Sequence, residues 1–359
     1  MSQYHSLRIA AVRPETRDAV TVEFAVPAEL RAAFRFVQGQ HVNVRAAIEG
    51  AEVRRSYSIC AAAPPAGPEG RLRILIKRQP GGVFSNWAND HLRAGDTLDV
   101  MPPAGLFHMP LDAAAARRYL AIAAGSGITP VLSLIATTLA AEPRSQFTLF
   151  YGNRASAGIL FREELADLKD RYLERFTLVH VMSREQQDLE LLNGRLTAQK
   201  VEAMLRVWGP LQGFAAVYLC GPHGMNQELA KALAAWGLPK ERLKIEQFAT
   251  SRQRQPLAPL PRTQAPACEA TLILDGRHYT FPVARGQETI LDAGLRAGVD
   301  LRFSCKSGVC ATCRAKLVQG EVDMDGNFAL EDYEIARGYI LTCQSYPATD
   351  RVVVDFDQD

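Results

Sequence analysis

Residues 303–313 read FSCKSGVCATC, which places Cys305, Cys310 and Cys313, three of the seven cysteines of the chain, within nine residues. A fourth, Cys343, follows in ILTCQSYP (340–347). The pattern C-x4-C-x2-C with a distant fourth cysteine is typical of plant-type [2Fe–2S] sites. The intervening residues are small or polar, so the backbone can wrap closely around a cluster and point amide N–H groups at its sulfurs. The spacing therefore predicts a two-iron cluster on these four thiolates.

A zinc site is the main alternative for these cysteines. Zinc modules favour two C-x2-C pairs, and here Cys310 and Cys313 alone have that spacing. The N-terminal sequence MSQYHSLRIAAVRPETRDAV lacks the charged-then-apolar layout of a signal peptide, so we expect a cytoplasmic location with reduced thiols. In that compartment a cysteine group indicates a metal or redox site rather than disulfides.

The composition of the whole chain is that of a globular protein with several domains. It has 359 residues, 47% of them apolar and 22% charged, with a formal net charge of +2. The low net charge gives no electrostatic reason to expect nucleic acid as a partner. Glycines and a proline divide the long uncharged run at 121–141, which leaves a helix too short to cross a membrane. We expect neither nucleic acid nor membrane as a partner.

The hydrophobic pattern changes along the chain and divides it. Short β-type runs separated by turns predict an antiparallel β-barrel over residues 1–111. Apolar strands alternating with helices predict a parallel-sheet α/β domain over 112–250. A proline-rich linker at 251–267 precedes an α+β domain of the β-grasp type at 268–359, with a hairpin turn at Asp275-Gly276.

Two short motifs in the first domain and three in the second carry polar residues at element ends. The first domain contains RRSYSIC (54–60) and GGVFSNW (81–87), the latter before a helix predicted from Phe84 to His91. In AGSGITP (124–130), Thr129 is placed to cap a helix and Pro130 suits its first turn. YGNR (151–154) and MSRE (182–185) end the next two strands, where open α/β sheets bind ligands. Taken singly, RSYS suits an ordinary strand and GGVFS an ordinary turn.

In this order, the motifs resemble the ferredoxin–NADP reductase superfamily, whose flavin signature is R-x-Y-S followed by G-G-x-x-S and whose nucleotide loop is G-x-G-I-T-P. The resemblance implies FAD in the first domain, NADP in the second and a plant-type ferredoxin domain last. A flavin is also needed on chemical grounds, because a nicotinamide gives up a hydride whereas an iron–sulfur cluster carries single electrons. The residues that the resemblance assigns to FAD are Arg55, Ser56, Tyr57, Ser58, Gly81, Gly82, Val83, Phe84 and Ser85.

The same resemblance assigns nucleotide-binding and hydride-transfer residues. The nucleotide set is Gly125, Gly127, Thr129, Pro130, Asn153, Arg154, Ser183, Arg184, Gly221 and Pro222. YLCGP (218–222) resembles the segment that places a cysteine beside the nicotinamide, and KIEQF (244–248) resembles the segment with the C-terminal acid. Ser58, Cys220 and Glu246 are therefore expected around the hydride path. For Cys220, a small buried strand residue is the plain alternative.

The nucleotide preference is predicted from the residues that end the second and third strands. Asn153, Arg154, Ser183 and Arg184 are polar or cationic where an NAD-selective site carries an acid for the ribose hydroxyls. Serine and arginine suit the 2′-phosphate of NADPH. We expect NADPH in preference to NADH, although Arg184 could also be a solvated loop cation.

The order of the domains resembles that of oxygenase reductases with the iron–sulfur domain last, and most closely the family of reductase subunits of phenylacetyl-CoA epoxidases in phenylacetate degradation. That resemblance implies electron flow from NADPH through FAD and the [2Fe–2S] cluster to a diiron oxygenase. One alternative is a reductase of the same architecture for another oxygenase, a hydroxylase or an acyl desaturase. Another is a non-enzymatic zinc or redox-sensing module joined to a nucleotide-binding regulator.

Overall fold

The computed structural model describes residues 4–65, 67, 70–248 and 267–358. The described residues form two compact units, one made of those up to residue 248 and the other of those from residue 267 onward. Each unit has an apolar core of its own. The predicted linker at 251–267 lies outside the described residues apart from Ala267, where a strand begins.

An antiparallel barrel forms the first part of the N-terminal unit. Its elements are β1 (His5–Thr16), β2 (Ala19–Ala25), β3 (His41–Ile48), β4 (Ala51–Ser58), β5 (Arg71–Lys77), α1 (Val83–His91) and β6 (Thr97–Val100). The strand order is β4-β3-β6-β1-β2-β5, and a bridge between Ile59 and Ile74 joins the two outer strands. Alternate residues such as Leu7, Phe24 and Val42 are fully buried inside. The predicted barrel and helix α1 are confirmed.

A parallel sheet forms the second part of this unit. The strands are β7 (Arg118–Ala124), β8 (Gln146–Asn153), β9 (Phe176–Met182), β10 (Ala216–Cys220) and β11 (Leu243–Glu246). Between them lie α2 (Ile128–Ala141), α3 (Arg162–Arg171), α4 (Ala198–Trp208) and α5 (His223–Ala235). The order β11-β10-β7-β8-β9 is parallel throughout. Leu120 and Ile122 join one apolar core and Ala121 and Ala123 the other, so β7 is buried on both faces, as predicted.

Helix α2 begins differently from the prediction. The sequence pattern makes Thr129 the capping residue, but the helix already begins at Ile128 with Gly127 as the residue before it. The turn at Gly125–Gly127 runs directly into the helix, and Gly127 has φ −60° and ψ −11°, so no extended capping residue precedes the first turn. The Thr129 hydroxyl instead donates to the Ser126 carbonyl oxygen at 3.0 Å. The predicted cap is therefore wrong.

The C-terminal unit is built on a mixed sheet and has two short helices. Its strands are β12 (Ala267–Leu274), β13 (Arg277–Ala284), β14 (Arg314–Gln319), β15 (Val322–Met324), β16 (Tyr339–Leu341), β17 (Ser345–Pro347) and β18 (Arg351–Asp355). Its helices are α6 (Ile290–Arg296) and α7 (Asp332–Ala336). The main sheet has the order β13-β12-β18-β14-β16, with β12 and β18 parallel.

The local chemistry of this unit explains the hairpin and the helix. Asp275 and Gly276 have φ of 50° and 70°, as a two-residue turn between antiparallel strands requires. Helix α6 buries Ile290 and Leu291 in the same core as Leu272 of β12. The predicted hairpin, helix and β-grasp arrangement are confirmed. Among the helices in the described ranges, none has the length and apolar character to span a membrane.

Candidate functional site

The carboxyl ends of the parallel strands bring the predicted nucleotide residues to one edge of the sheet. Cys220 is in register with Ala123 of β7 and Glu246 of β11, and Asn153 of β8 is in register with Met182 of β9. Since all five strands run the same way, the residues that follow each strand meet at this edge. The structure therefore brings together Gly125, Asn153, Ser183, Gly221 and their neighbours.

Ser58 and Glu246 form a short hydrogen bond across this unit. The Ser58 hydroxyl, at the end of β4, donates to Glu246 Oε1 at 2.5 Å, although the two residues are 188 positions apart in sequence. Burial raises the pKa of Glu246 to about 7, and the bond from Ser58 works in the opposite direction. The carboxyl group can therefore take or lose a proton near neutral pH.

Cys220 lies beside Glu246 because their strands are neighbours in register. Burial raises the pKa of the Cys220 thiol well above its ordinary value, and the nearby Glu246 carboxylate adds to the rise. The thiol is therefore neutral at physiological pH. The three side chains predicted for the hydride path lie on strands that converge at one place.

Asn226 holds the end of β11, and the sequence motifs do not identify it. It lies in the first turn of α5 and is only 2% exposed. Its Nδ2 donates to the Glu246 carbonyl oxygen at 3.1 Å and to Gln247 Oε1 at 3.2 Å. A polar residue on the buried face of α5 was the available signal, but its partners depend on the strand order.

The loop at Gly125–Gly127 and the segment at Cys220 are packed against each other. A methyl group added at Gly127 would overlap the Cys220 carbonyl oxygen, so glycine is required there. The Tyr151 hydroxyl donates to the Gly125 carbonyl oxygen at 3.1 Å and holds the loop from the other side. The loop that is predicted to receive a phosphate is therefore fixed to the segment that carries Cys220.

The predicted FAD residues lie on β4 and at the start of α1. Because side chains alternate along a strand, Arg55 and Tyr57 share one face of β4 and Ser56 and Ser58 the other. Tyr57 packs near the Phe84 ring, with 5.7 Å between the centroids, and burial raises its pKa. The Arg55 guanidinium is exposed and donates to the Arg54 carbonyl oxygen at 2.7 Å.

The start of α1 offers backbone donors rather than side chains. Gly82 precedes the helix, and Val83 begins it. The Ser85 hydroxyl accepts from the Gln79 backbone N–H at 3.1 Å. Phe84 is 1% exposed and points into the barrel core, so its side chain is not available to a phosphate. Backbone N–H groups at a helix start favour an anion.

The ends of β8 and β9 carry two exposed arginines side by side. The Arg184 N–H donates to the Arg154 carbonyl oxygen at 2.8 Å, and the Ser183 N–H donates to that of Asn153 at 2.9 Å. Asn153 is 9% exposed, and its Nδ2 has no partner within the described part of the chain. This edge therefore offers a buried amide donor and two cations.

The acid that follows Arg184 is already engaged. Glu185 Oε2 accepts from the Ser156 backbone N–H at 2.7 Å, and Oε1 accepts from the Ser156 hydroxyl at 2.5 Å. Both bonds lower the pKa of Glu185. Its carboxylate oxygens are therefore used within the protein.

The thiols of the cysteine loop in the C-terminal unit lie close enough together to shift one another's pKa values. The interaction with Cys310 is the main cause that raises the pKa of Cys305, and the interaction with Cys343 is the main cause that raises the pKa of Cys313. Among the described residues, no three or more His, Cys, Asp or Glu side chains are grouped to hold one metal ion. A two-iron cluster requires a different arrangement, in which each iron takes two thiolates and two bridging sulfides. Four neighbouring thiols fit that donor set.

The backbone of this loop is tightly wound, and donors face its sulfurs. Lys306, Gly308 and Ala311 all have φ between 50° and 74°. A side chain at Gly308 would approach the Gly326 carbonyl oxygen to 2.6 Å, so the loop closes only with glycine there. The Ser307 N–H donates to Cys305 Sγ at 3.3 Å, and the Thr312 hydroxyl donates to Cys310 Sγ at 3.1 Å. Such donors stabilise negative charge on a cluster.

Three domain families match the chain in the predicted order. Residues 6–109 match the oxidoreductase FAD-binding domain, residues 121–231 the oxidoreductase NAD-binding domain, and residues 272–348 the 2Fe-2S iron-sulfur cluster binding domain. The last match decides between the two metal sites that the cysteine spacing left open, in favour of the two-iron cluster.

Relatives with known roles match over almost the full length. One component of the 1,2-phenylacetyl-CoA epoxidase of Escherichia coli (strain K12) is 45% identical over 357 residues, which is 99% of both chains. The ferredoxin reductase component of 3-ketosteroid-9-alpha-monooxygenase from Rhodococcus rhodochrous is 34% identical over 98% of this chain and 96% of its own. The solved structure of phthalate dioxygenase reductase has the same fold, with a TM-score of 0.58, 24% identity and 98% coverage of both chains. The chain, with its FAD-binding, NAD-binding and C-terminal [2Fe–2S] domains, therefore belongs to the ferredoxin reductase family, among the oxidoreductases that serve oxygenases.

Proposed function

We propose that this protein takes a hydride from NADPH onto FAD and passes single electrons through the [2Fe–2S] cluster to the diiron oxygenase of a phenylacetyl-CoA epoxidase. The assignment of this oxygenase as the electron acceptor rests on the 45% identity to a component of such an epoxidase over 99% of both chains. We assign FAD to residues 1–111, the nucleotide to 112–250 and the cluster to 268–359, with a linker at 251–267. The domain matches at 6–109, 121–231 and 272–348 support this division. A cytoplasmic location is part of the proposal.

In this proposal, Ser58, Cys220 and Glu246 surround the hydride path. FAD, when bound, supplies the exchange of one hydride for two single electrons. The bond from Ser58 to Glu246 fixes the orientation of the hydroxyl, so Ser58 needs no reorganisation when charge shifts nearby. The buried neutral thiol of Cys220 fills the neighbouring position without adding charge. These side chains bind and orient the cofactors and exclude water from the hydride path.

The remaining predicted residues hold the two cofactors. Arg55 would supply a cation to the FAD phosphates, Tyr57 an aromatic ring to the flavin, and the backbone of Gly81–Ser85 N–H groups to the pyrophosphate. The loop with Gly125 and Gly127, followed by Thr129 and Pro130, receives the pyrophosphate of the nicotinamide nucleotide. Gly221 and Pro222 would hold its nicotinamide end.

The preference for NADPH rests on the ends of β8 and β9. Arg154 and Arg184 lie side by side with exposed side chains, which suits a 2′-phosphate. An NAD-selective site presents a free carboxylate to the ribose hydroxyls. The nearby acid, Glu185, has both oxygens engaged by Ser156, and this supports NADPH.

Reconstitution with purified oxygenase components tests the acceptor. The protein is mixed with the oxygenase of a phenylacetyl-CoA epoxidase, and NADPH oxidation and epoxide formation are followed with and without phenylacetyl-CoA. The control mixture contains the oxygenase of a 3-ketosteroid-9-alpha-monooxygenase and its steroid. We expect coupled turnover with the epoxidase, faster with NADPH than with NADH. Coupling to the steroid oxygenase alone would assign the protein to that acceptor instead.

A further inference from the structure

Gln344 follows the fourth cysteine directly, and its side chain turns back onto the cysteine loop. Its Nε2 lies 2.8 Å from the Cys343 carbonyl oxygen, 3.1 Å from the Lys306 carbonyl oxygen and 3.5 Å from Cys343 Sγ. A carboxamide nitrogen has two hydrogens, so these acceptors share them. One side chain therefore connects the start of the loop, the fourth ligand and its sulfur.

The surrounding backbone holds Gln344 in this position. The backbone carbonyl oxygen of Gln344 accepts from the Asp325 N–H at 3.0 Å, and its backbone N–H donates to the Leu341 carbonyl oxygen at 2.8 Å. A side chain at either Gly308 or Gly326 would approach Gln344 atoms to 3.2 Å. The Gln344 side chain thus packs beside two glycines and is not a freely moving surface group.

An N–H group that points at a ligand sulfur affects the redox chemistry of a cluster. One-electron reduction makes the cluster more negative, and hydrogen bonds to its sulfurs stabilise that form. A donor at Cys343 therefore raises the reduction potential. Exposure of the cluster to solvent also raises the reduction potential, since water stabilises the more highly charged form.

We propose that Gln344 is a positioning residue that raises the reduction potential of the [2Fe–2S] cluster by donating from its carboxamide to the Cys343 sulfur. The tether to the Lys306 carbonyl oxygen keeps the donor in place. This inference rests on the cluster-binding role of the C-terminal unit and not on the identity of the oxygenase.

The test compares Gln344→Met with the wild type in the full-length protein with its cofactors. Methionine keeps the length of the side chain and removes the donor. The midpoint potential is measured in an anaerobic redox titration followed by the EPR signal of the reduced cluster. The matched control is Gln319→Met, an exposed residue at the end of β14 away from Cys313.

We expect a more negative potential for Gln344→Met and no shift for Gln319→Met. An unchanged potential would overturn the proposal. A more positive potential would also overturn it, because that sign indicates entry of water into a loosened loop. If Gln344→Met does not retain its cluster, Gln344→Asn provides the same test, since its amide is one methylene too short to reach the sulfur. Absence of the EPR signal in the wild type would overturn the cluster and this inference together, whereas failure with the epoxidase oxygenase would leave the inference intact.

Discussion

The predicted hydride site, formed by Ser58, Cys220 and Glu246, and the cysteine loop are assembled in opposite ways. Ser58 and Glu246 meet across 188 positions of sequence, and Cys220 joins them from a third strand. In the loop, three of the four thiols come from nine consecutive residues. The first site exists only when the whole N-terminal unit is folded, whereas the second depends chiefly on one segment and its closing cysteine. A substitution of a cysteine in the loop should therefore abolish the cluster and leave the N-terminal unit unaffected. A substitution at the predicted hydride site should slow flavin reduction without abolishing it.

The largest effect is expected when one thiol is removed from the loop. Cys310→Ser should abolish the [2Fe–2S] cluster, measured as iron and sulfide content and as visible absorbance, because each iron needs both of its thiolates. Flavin reduction by NADPH should remain at the wild-type rate. Cys268→Ala, at a buried cysteine outside the loop, is the control. Loss of flavin reduction in Cys310→Ser would show that the two sites are not separable.

Removal of the Ser58 hydroxyl should damage the hydride site without destroying it. We expect Ser58→Ala to slow flavin reduction about 100-fold at saturating NADPH in stopped-flow measurements, the lower end of the range for loss of one positioned polar group. The cluster should be retained. Ser133→Ala removes another buried hydroxyl, which has no partner within the described residues, and should have no such effect. A wild-type rate in Ser58→Ala would remove Ser58 from the hydride path.

The pH dependence of stability should reveal Glu246. The folded protein keeps the Glu246 proton up to a pH of about 7, the raised pKa, whereas an unfolded glutamate loses it near 4.5. Between these values the folded state binds more protons, so the contribution of Glu246 to the free energy of unfolding falls as pH rises. Glu246→Gln has no such proton. Relative to the wild type, it should therefore gain about 3 kcal/mol between pH 4 and pH 8.

Tryptophan fluorescence can follow this change during urea unfolding. All three tryptophans, Trp87, Trp208 and Trp236, lie in the N-terminal unit, so the signal reports that unit alone. Glu202→Gln, at an exposed glutamate of α4, is the control. Parallel pH profiles for the wild type and Glu246→Gln would contradict the raised pKa.

The smallest effect is expected at the exposed rim of the nucleotide site. Arg184→Ala should raise the KM for NADPH about tenfold, since a hydrogen bond to a charged group is worth roughly 1.5–3 kcal/mol and exposure places it at the lower end. The KM for NADH should hardly change. Arg171→Ala, at an exposed arginine of α3, is the control. Equal effects on both nucleotides would leave the preference for NADPH without its main support.

The sequence predicts the cysteine loop better than it predicts the side-chain contacts that hold the ends of the parallel strands. Cysteine spacing is a local property, and the match of residues 272–348 to the 2Fe-2S iron-sulfur cluster binding domain bears out the predicted cluster. The bonds from Asn226 to Glu246 and from Ser156 to Glu185 join segments whose proximity is set by strand order, which no local pattern contains. The cap assigned to Thr129 was wrong because a preceding turn had already entered helical geometry. The assignments of individual cofactor residues remain predictions.

The contact between Gly127 and the Cys220 carbonyl oxygen affects how variants of this protein should be interpreted. A side chain at Gly127 would displace the backbone of Cys220 before it affected any bound nucleotide. In a mutational scan, Gly127 would therefore score like a catalytic position, although a glycine has no side chain with which to act. Its intolerance would measure how closely two backbones must approach, and no change of side chain at Cys220 or Gly221 would relieve it, because the atoms in the way belong to the backbone.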